Sequence, residues 1–346
     1  MKRRDFIKLS GMSIASLALS GCVPSQANTN TGAAAPPPAA APAPNIPELA
    51  YRVQDANAPA VYFLPQVSQD ALVKAYTATG RQLTGKVGLK LSFETPDGPY
   101  LNPQLLQKLR DQLDGTFMDC NGFSAPRNTT AGHLRLARDH GFTAVGPVDI
   151  LDADGDLDLP VHGGKYLKVH RTGAHFANYD SMLSLVRFKA HHIRDYGGTI
   201  KNLTICLAST SGKALIHSAG REEYGYSPSD MESFLESMAD AAKAALDAKP
   251  DRWIFINVLC GFAPSDSCRD AKPLPDIGVL ASLDPVALDQ AAVDFTFGAA
   301  PCSTRSMGAR SQRARIAIRG RTRRRPQTLQ AFACRLRRKI LLCNKK

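Results

Sequence analysis

Between Phe188 and Asn202 the chain places His191 and His192 side by side, with Lys189, Arg194 and Lys201, the carboxylate of Asp195 and the pair Gly197-Gly198. An apolar run precedes this stretch and another follows it, the setting in which α/β proteins carry chemistry on strand-end loops. His191, His192, Lys189 and Asp195 are the candidate catalytic groups. Adjacent histidines on a strand point to opposite faces and cannot easily share a metal, whereas on an irregular loop both could. Gly197 and Gly198 lead into a short helix whose first-turn N–H groups, expected to be free, suit an anion. Lys201, Lys213 and His217 would add charge to such an anion site. Lys213 and His217 share a face if their segment is helical. Scattered surface charge is the competing reading for these cations.

A second set of candidates would bind a metal. Cys260, Asp266 and Cys268 follow an apolar strand at its carboxyl end, where ligands sit in open sheets. Soft sulfur with a carboxylate can hold a metal, but Cys260 and Cys268 could equally form a disulfide after export. Cys120, beside Asp119 at another strand end, either joins them or is a plain buried cysteine. Asp284 reads as a helix cap and Asp289 as a satisfied polar group on the last helix. The run Asp152-Ala153-Asp154-Gly155-Asp156 lacks the glutamate that closes a calcium loop, so it reads as a solvated acidic turn.

These groups need a scaffold, and residues 51–300 supply one. Ala60–Leu64, Lys86–Phe93, Thr116–Cys120, Ala144–Leu151, Met182–Phe188, Trp253–Leu259 and Ile277–Ala281 read as strands. Ser68, Asn102-Pro103, Thr129 or Thr130, and Pro228 or Asp230 open helices between them, and the helix after Gly198 is expected to run to about Ala208. Met231, Phe234, Leu235, Met238, Ala242, Ala245 and Leu246 recur as one buried helical face. The pattern is that of an α/β protein, a mainly parallel sheet flanked by helices, in one large domain or two closely packed lobes.

The two ends of the chain are different in kind. Lys2-Arg3-Arg4-Asp5-Phe6-Ile7-Lys8 is a twin-arginine pattern, followed by a short apolar run and Leu19-Ser20-Gly21-Cys22, a lipobox-like ending. Residues 1–22 therefore read as an export signal with Cys22 as the lipidated residue. The expected partners are the twin-arginine export machinery, lipoprotein-processing enzymes and, through the lipid, a membrane. The expected location is the periplasmic side of the cell envelope. That route carries folded proteins, often with a cofactor inserted beforehand, so a metal ion or other cofactor is a candidate. Residues 23–50, rich in Ala and Pro, read as a disordered tether that could reach roughly 80 Å at about 3 Å per residue.

Net charge is +12, but residues 301–346 carry fifteen Lys/Arg and no acid. Between 23 and 300 there are 24 basic and 30 acidic residues, a net of −6. The body is mildly acidic, which argues against a nucleic-acid-binding surface on it. The tail 301–346 reads either as a disordered basic arm or as frameshifted sequence.

Four ordered segments carry a family resemblance: Arg127-Asn128-Thr129-Thr130 leading to His140-Gly141-Phe142; the stretch ending Gly197-Gly198-Thr199-Ile200-Lys201-Asn202; Gly212-Lys213 with His217-Ser218-Ala219-Gly220; and Asp276 to Ser282 with Asp284-Pro285-Val286-Ala287-Leu288-Asp289-Gln290. In these the chain resembles the domain-of-unknown-function 362 family, some members of which are described as uncharacterised iron–sulfur centre proteins. Members that bind clusters carry four closely spaced cysteines. Here Cys120, Cys206, Cys260 and Cys268 are scattered, which argues against a [4Fe-4S] cluster. Two functional classes follow: a metal- or cofactor-dependent enzyme, redox chemistry included, acting on a small anionic substrate; or a non-catalytic metal- or anion-binding or assembly protein of the envelope.

Overall fold

The computed structural model of the chain describes residues 58–191, 195–225, 227–262, 275–297 and 339–342, with the backbone alone at 191, 195, 297 and 339–342. The export signal, the tether and residues 301–338 and 343–346 lie outside the described residues.

The first half of the fold alternates as its apolar periodicities predict. It runs β1 (Ala60–Leu64), α1 (Gln69–Ala78), β2 (Val87–Lys90), α2 (Pro103–Leu113), β3 (Thr116–Asp119), α3 (Thr130–Asp139), α4 (Phe142–Val145) and β4 (Val148–Ile150). Side-chain caps start the three long helices: Ser68 accepts from the Ala71 N–H, Asn102 from Gln104 and Thr129 from Gly132. Each supplies an acceptor to an N–H that the helix itself leaves unpaired. The strand expected over Ala144–Leu151 is a correction. Gly141, at φ +84°, ends α3 and starts the single turn of α4, so only Val148–Ile150 remains for the sheet.

The second half is less regular. A hairpin of β5 (Asp156–Pro160) and β6 (Val169–Gly173) and a 3-10 turn over Ala174–Asn178 precede β7 (Ser181–Arg187). A second hairpin, β8 (Lys189–His191) with β9 (Asp195–Gly197), leads to α5 (Thr199–Leu203), α6 (Thr210–His217) and α7 (Met231–Ala248). Then come β10 (Trp253–Leu259), β11 (Gly278–Ser282), α8 (Pro285–Phe297) and β12 (Lys339–Leu342). The helix expected from Thr199 to about Ala208 stops at Leu203, and α6 is separate from it. The acidic turn is held by His175, whose ring nitrogens lie 2.7 Å from Asp149 and 2.7 Å from Asp154.

One mixed sheet organises all of this, in the order β12-β1-β11-β10-β7-β2-β3-β4. Only β11 runs against its neighbours; every other pairing is parallel. Successive side chains on the central strands alternate between two cores, as strand geometry requires. Ile254, Ile256 and Val258 of β10 face a core with Leu72 of α1, Leu106 of α2 and Ala137 of α3. Trp253, Phe255 and Leu259 face the other, with Leu203 of α5, Ala244 of α7 and Leu288 of α8. Burying each such large side chain contributes about 1.5–3 kcal/mol. Helices therefore cover both faces, and the central strands are mostly apolar, with Lys90, Ser184 and Asn257 as buried polar exceptions.

Candidate functional site

The connections diverge at one place in the sheet. From β2 the chain goes through α2 to β3 on one side; from β7, the other neighbour of β2, it goes through α5, α6 and α7 to β10 on the opposite side. The carboxyl ends of β2 and β7 thus form a topological switch point, the place where open α/β sheets leave a crevice for ligands. A cleft enclosing about 400 Å³, counted up to its open mouth, lies there.

Each wall follows from a local element. The loop after β2 contributes Ser92 and Glu94; the end of β7 and the start of β8 contribute Arg187 and Lys189. Gly197 and Gly198 form part of the floor, and α5 with the turn after it brings in Lys201, Asn202 and Cys206. Among the described lining side chains there are three cations and one carboxylate. Lys189 Nζ lies 2.6 Å from Glu94 Oε2, and Arg187 donates to the Gly261 carbonyl at 2.8 Å.

A buried charge network stands behind Asn202. Lys90 is fully buried, and its ammonium donates to the Leu91 carbonyl at 2.7 Å, Asp119 at 3.0 Å and Asn202 Oδ1 at 3.2 Å. The Asn202 amide donates in turn to the Lys90 carbonyl and to Ser184 Oγ, so its orientation is set. Asp119 also accepts from the Phe93 and Cys120 N–H groups, and His133 Nε2 comes within 3.5 Å of it. Burial by itself would push the Lys90 ammonium down, but Asp119, with smaller contributions from Cys206 and Cys120, more than offsets this and holds it up. Burial likewise opposes ionisation of Asp119, yet Lys90 and His133 keep it well below the usual carboxylate range.

Asp289 corrects the expectation of a free helix N-terminus. Its carboxylate accepts from Thr199 N–H at 2.7 Å and Ile200 N–H at 2.8 Å, and from the Asn257 amide at 2.8 Å. The Thr199 and Ile200 N–H groups are therefore taken by Asp289, and the cations lining the cleft are the side chains of Arg187, Lys189 and Lys201. Burial raises the Asp289 carboxyl to about 6, against the pull of these donors. Gly198 is required here: a Cβ at that position would stand 2.4 Å from Asp289 Oδ1. Asp284 is the cap expected of it, accepting from Val286 and Ala287.

The other candidates scatter. Lys189, Gly197, Gly198 and Lys201 meet in the cleft, whereas Lys213 and His217 do not line it. Both are buried on α6, where Lys213 donates to the Ala208 carbonyl and His217 stacks on Phe234 at 4.9 Å. His191 and Asp195 pair in register across the β8–β9 hairpin, and Phe188 stacked on Tyr196 anchors its base. The side chains of His191 and Asp195, and all of His192, Asp266, Cys268 and Cys22, lie outside the described residues.

The described cysteines do not gather. Cys120 is buried in the core beneath α5, α7 and α8, its thiol donating to the Leu207 carbonyl at 3.1 Å, and burial drives its ionisation far up. Cys260 packs against the core on the opposite face, and burial raises it too. Among the described residues no three His, Cys, Asp or Glu side chains form a metal-binding group. This arrangement does not fit a cubane cluster held by these sulfurs.

Sequence reasoning missed Lys90, Ser92, Glu94, Arg187, Asn202 and Cys206 as parts of the site. Lys90 carried a usable signal, since a lysine within a run as apolar as Val87 to Phe93 is rarely buried without a partner.

Fold and site together define an α/β protein with a cationic cleft at the carboxyl ends of a mainly parallel sheet. The sequence pattern of the family called Domain of unknown function (DUF362) matches residues 87–294, and this chain belongs to that family. No curated protein matches the chain. Among solved structures it is similar to the lactate racemase apoprotein from Thermoanaerobacterium thermosaccharolyticum, with 13% identity and a TM-score of 0.43. That similarity covers 70% of this chain and 57% of the racemase chain.

Proposed function

We propose that this protein is an enzyme that takes a small anionic substrate into the cleft between the ends of β2 and β7. One observation carries the reading: Arg187, Lys189 and Lys201 line a single switch-point crevice in which Glu94 is the one described carboxylate. A body whose net charge is −6 between residues 23 and 300 has concentrated cations where ligands bind in this architecture. Asn202 lines the same crevice, its amide turned inward onto Lys90 and Ser184. Cys206 lies in the same wall.

A metal- or cofactor-dependent form of this reading rests on His191, His192, Asp266 and Cys268, and the metal content of the purified protein decides it. We also propose that the chain is exported through the twin-arginine route and held on the periplasmic side of the envelope by a lipid on Cys22.

Isothermal titration of the full chain with oxalate and with inorganic phosphate tests the anion site. Saturable binding that falls with added salt is expected, and Lys201→Ala should weaken it by about tenfold or more, the loss of one charged hydrogen bond. Absence of saturable binding for both probes would remove the reading. Turnover then separates an enzyme from an anion-binding or assembly protein.

A further inference from the structure

Resting on the anion-site reading above, we infer that Glu94 is a built-in stand-in for the ligand: its carboxylate pairs with Lys189 in the cleft, and an incoming anion must displace it. The pair is short, 2.6 Å, and its two side chains are only 24% and 21% exposed. Both partners line the cleft, Glu94 from the loop after β2 and Lys189 from the β8–β9 hairpin. A carboxylate held at that place neutralises one of the three cations a ligand would use.

The backbone shows that Glu94 is aimed there against its own preference. It sits at φ +63°, a left-handed conformation that is strained for a residue with a Cβ. Such strain persists only where the surroundings over-determine it. They do so here through the preceding residue, whose two backbone groups are both held by buried side chains. The Phe93 N–H donates to Asp119 Oδ2 at 3.1 Å, and the Phe93 carbonyl accepts from His140 Nδ1 at 2.9 Å, which requires that nitrogen to carry the proton. His140 is fixed by stacking on Tyr100 at 3.9 Å. The Phe93 ring is fully buried between His133 and Phe142, and the Glu94 N–H is taken by Ser92 Oγ at 3.2 Å.

A latch whose only role was to pin the hairpin would need no strained residue, because a long side chain reaches a lysine from many backbone conformations. A competitor for the ligand does need a fixed position, since its effect depends on occupying the ligand's contact. An anion that displaces Glu94 also frees the loop after β2 from the hairpin, which couples binding to the shape of the cleft mouth.

The test is titration of oxalate and inorganic phosphate into the full chain and its Glu94→Gln and Glu94→Gly variants. Glycine adopts positive φ without penalty, so the second variant keeps the loop conformation, and a thermal melt confirms that each variant folds. Glu94 is inferred to act as a competitor, so both variants should bind at least one probe about five- to tenfold more tightly than the unmodified chain, the effect of removing one competing ion pair. Equal or weaker binding by the variants, with the unmodified chain binding saturably, overturns the inference and leaves the anion site standing. No saturable binding in any of the three proteins removes the anion site, and this inference with it.

Discussion

Lys90 and Asp119 show what a single residue pair does to this molecule. Two full charges are removed from water and joined at 3.0 Å, with the Lys90 ammonium also donating to the Leu91 carbonyl and Asn202, and Asp119 also accepting from the Phe93 and Cys120 N–H groups. Such a pair adds little net stability over an apolar pair, but breaking it leaves a buried charge without a partner. Lys90→Met should therefore destabilise the protein by about 3–5 kcal/mol in urea denaturation, and the Lys90→Met, Asp119→Asn double variant by clearly less. A double variant as unstable as the single one would mean that the pair does not act as a unit. At this scale the sequence was only partly legible. Lys189, Lys201 and the two glycines stood out through their types and spacing. Lys90 carried a signal in its apolar surroundings that went unread, and Glu94 and Arg187 carry none in their local sequence. Nothing local distinguishes a cation in the cleft from Lys213, which lies buried elsewhere.

The elements were read well where their causes are local. Ser68, Asn102, Thr129, Asp230 and Asp284 all cap the helices that follow them, because a cap needs only a side chain two or three residues from a free N–H. The short helix α5 was misjudged because its own cap is Asp289, ninety positions further on. That distant cap makes a prediction in pH. The Asp289 carboxyl sits near 6 in the folded protein against 3.8 ordinarily, so the folded state holds its proton more tightly than the unfolded one. The resulting stability is fully present below about pH 4 and is lost as pH rises through about 6, on the order of 2–3 kcal/mol. His175, raised by Asp149 and Asp154, bends the curve in the same direction. Denaturation midpoints from pH 4 to 7 should fall accordingly, and Asp289→Asn should flatten that slope while lowering stability overall. A slope unchanged by Asp289→Asn would show that the carboxyl is already ionised throughout.

For the whole molecule, the proposed anchoring makes a separate prediction. Expressed in a bacterium with twin-arginine export, the chain should incorporate labelled palmitate and sediment with membranes, and Cys22→Ser or replacement of Arg3 and Arg4 by Lys should abolish the labelling. Unlabelled protein in the soluble fraction would remove the lipid anchor. The sequence alone determined the α/β class, the order of most strands and helices, the caps and the family, since each depends on periodicity or on residues a few positions apart. Only the tertiary structure decided that β11 runs antiparallel, that the chain reverses its direction across the sheet between β2 and β7, and that Lys213 and His217 are absent from the resulting cleft. It also joined Lys90 to Asn202 and Asp289 to α5, contacts 112 and 90 positions apart. The reason is physical: periodicity says which face of an element is buried, but which distant carboxylate satisfies a buried donor depends on how the layers stack.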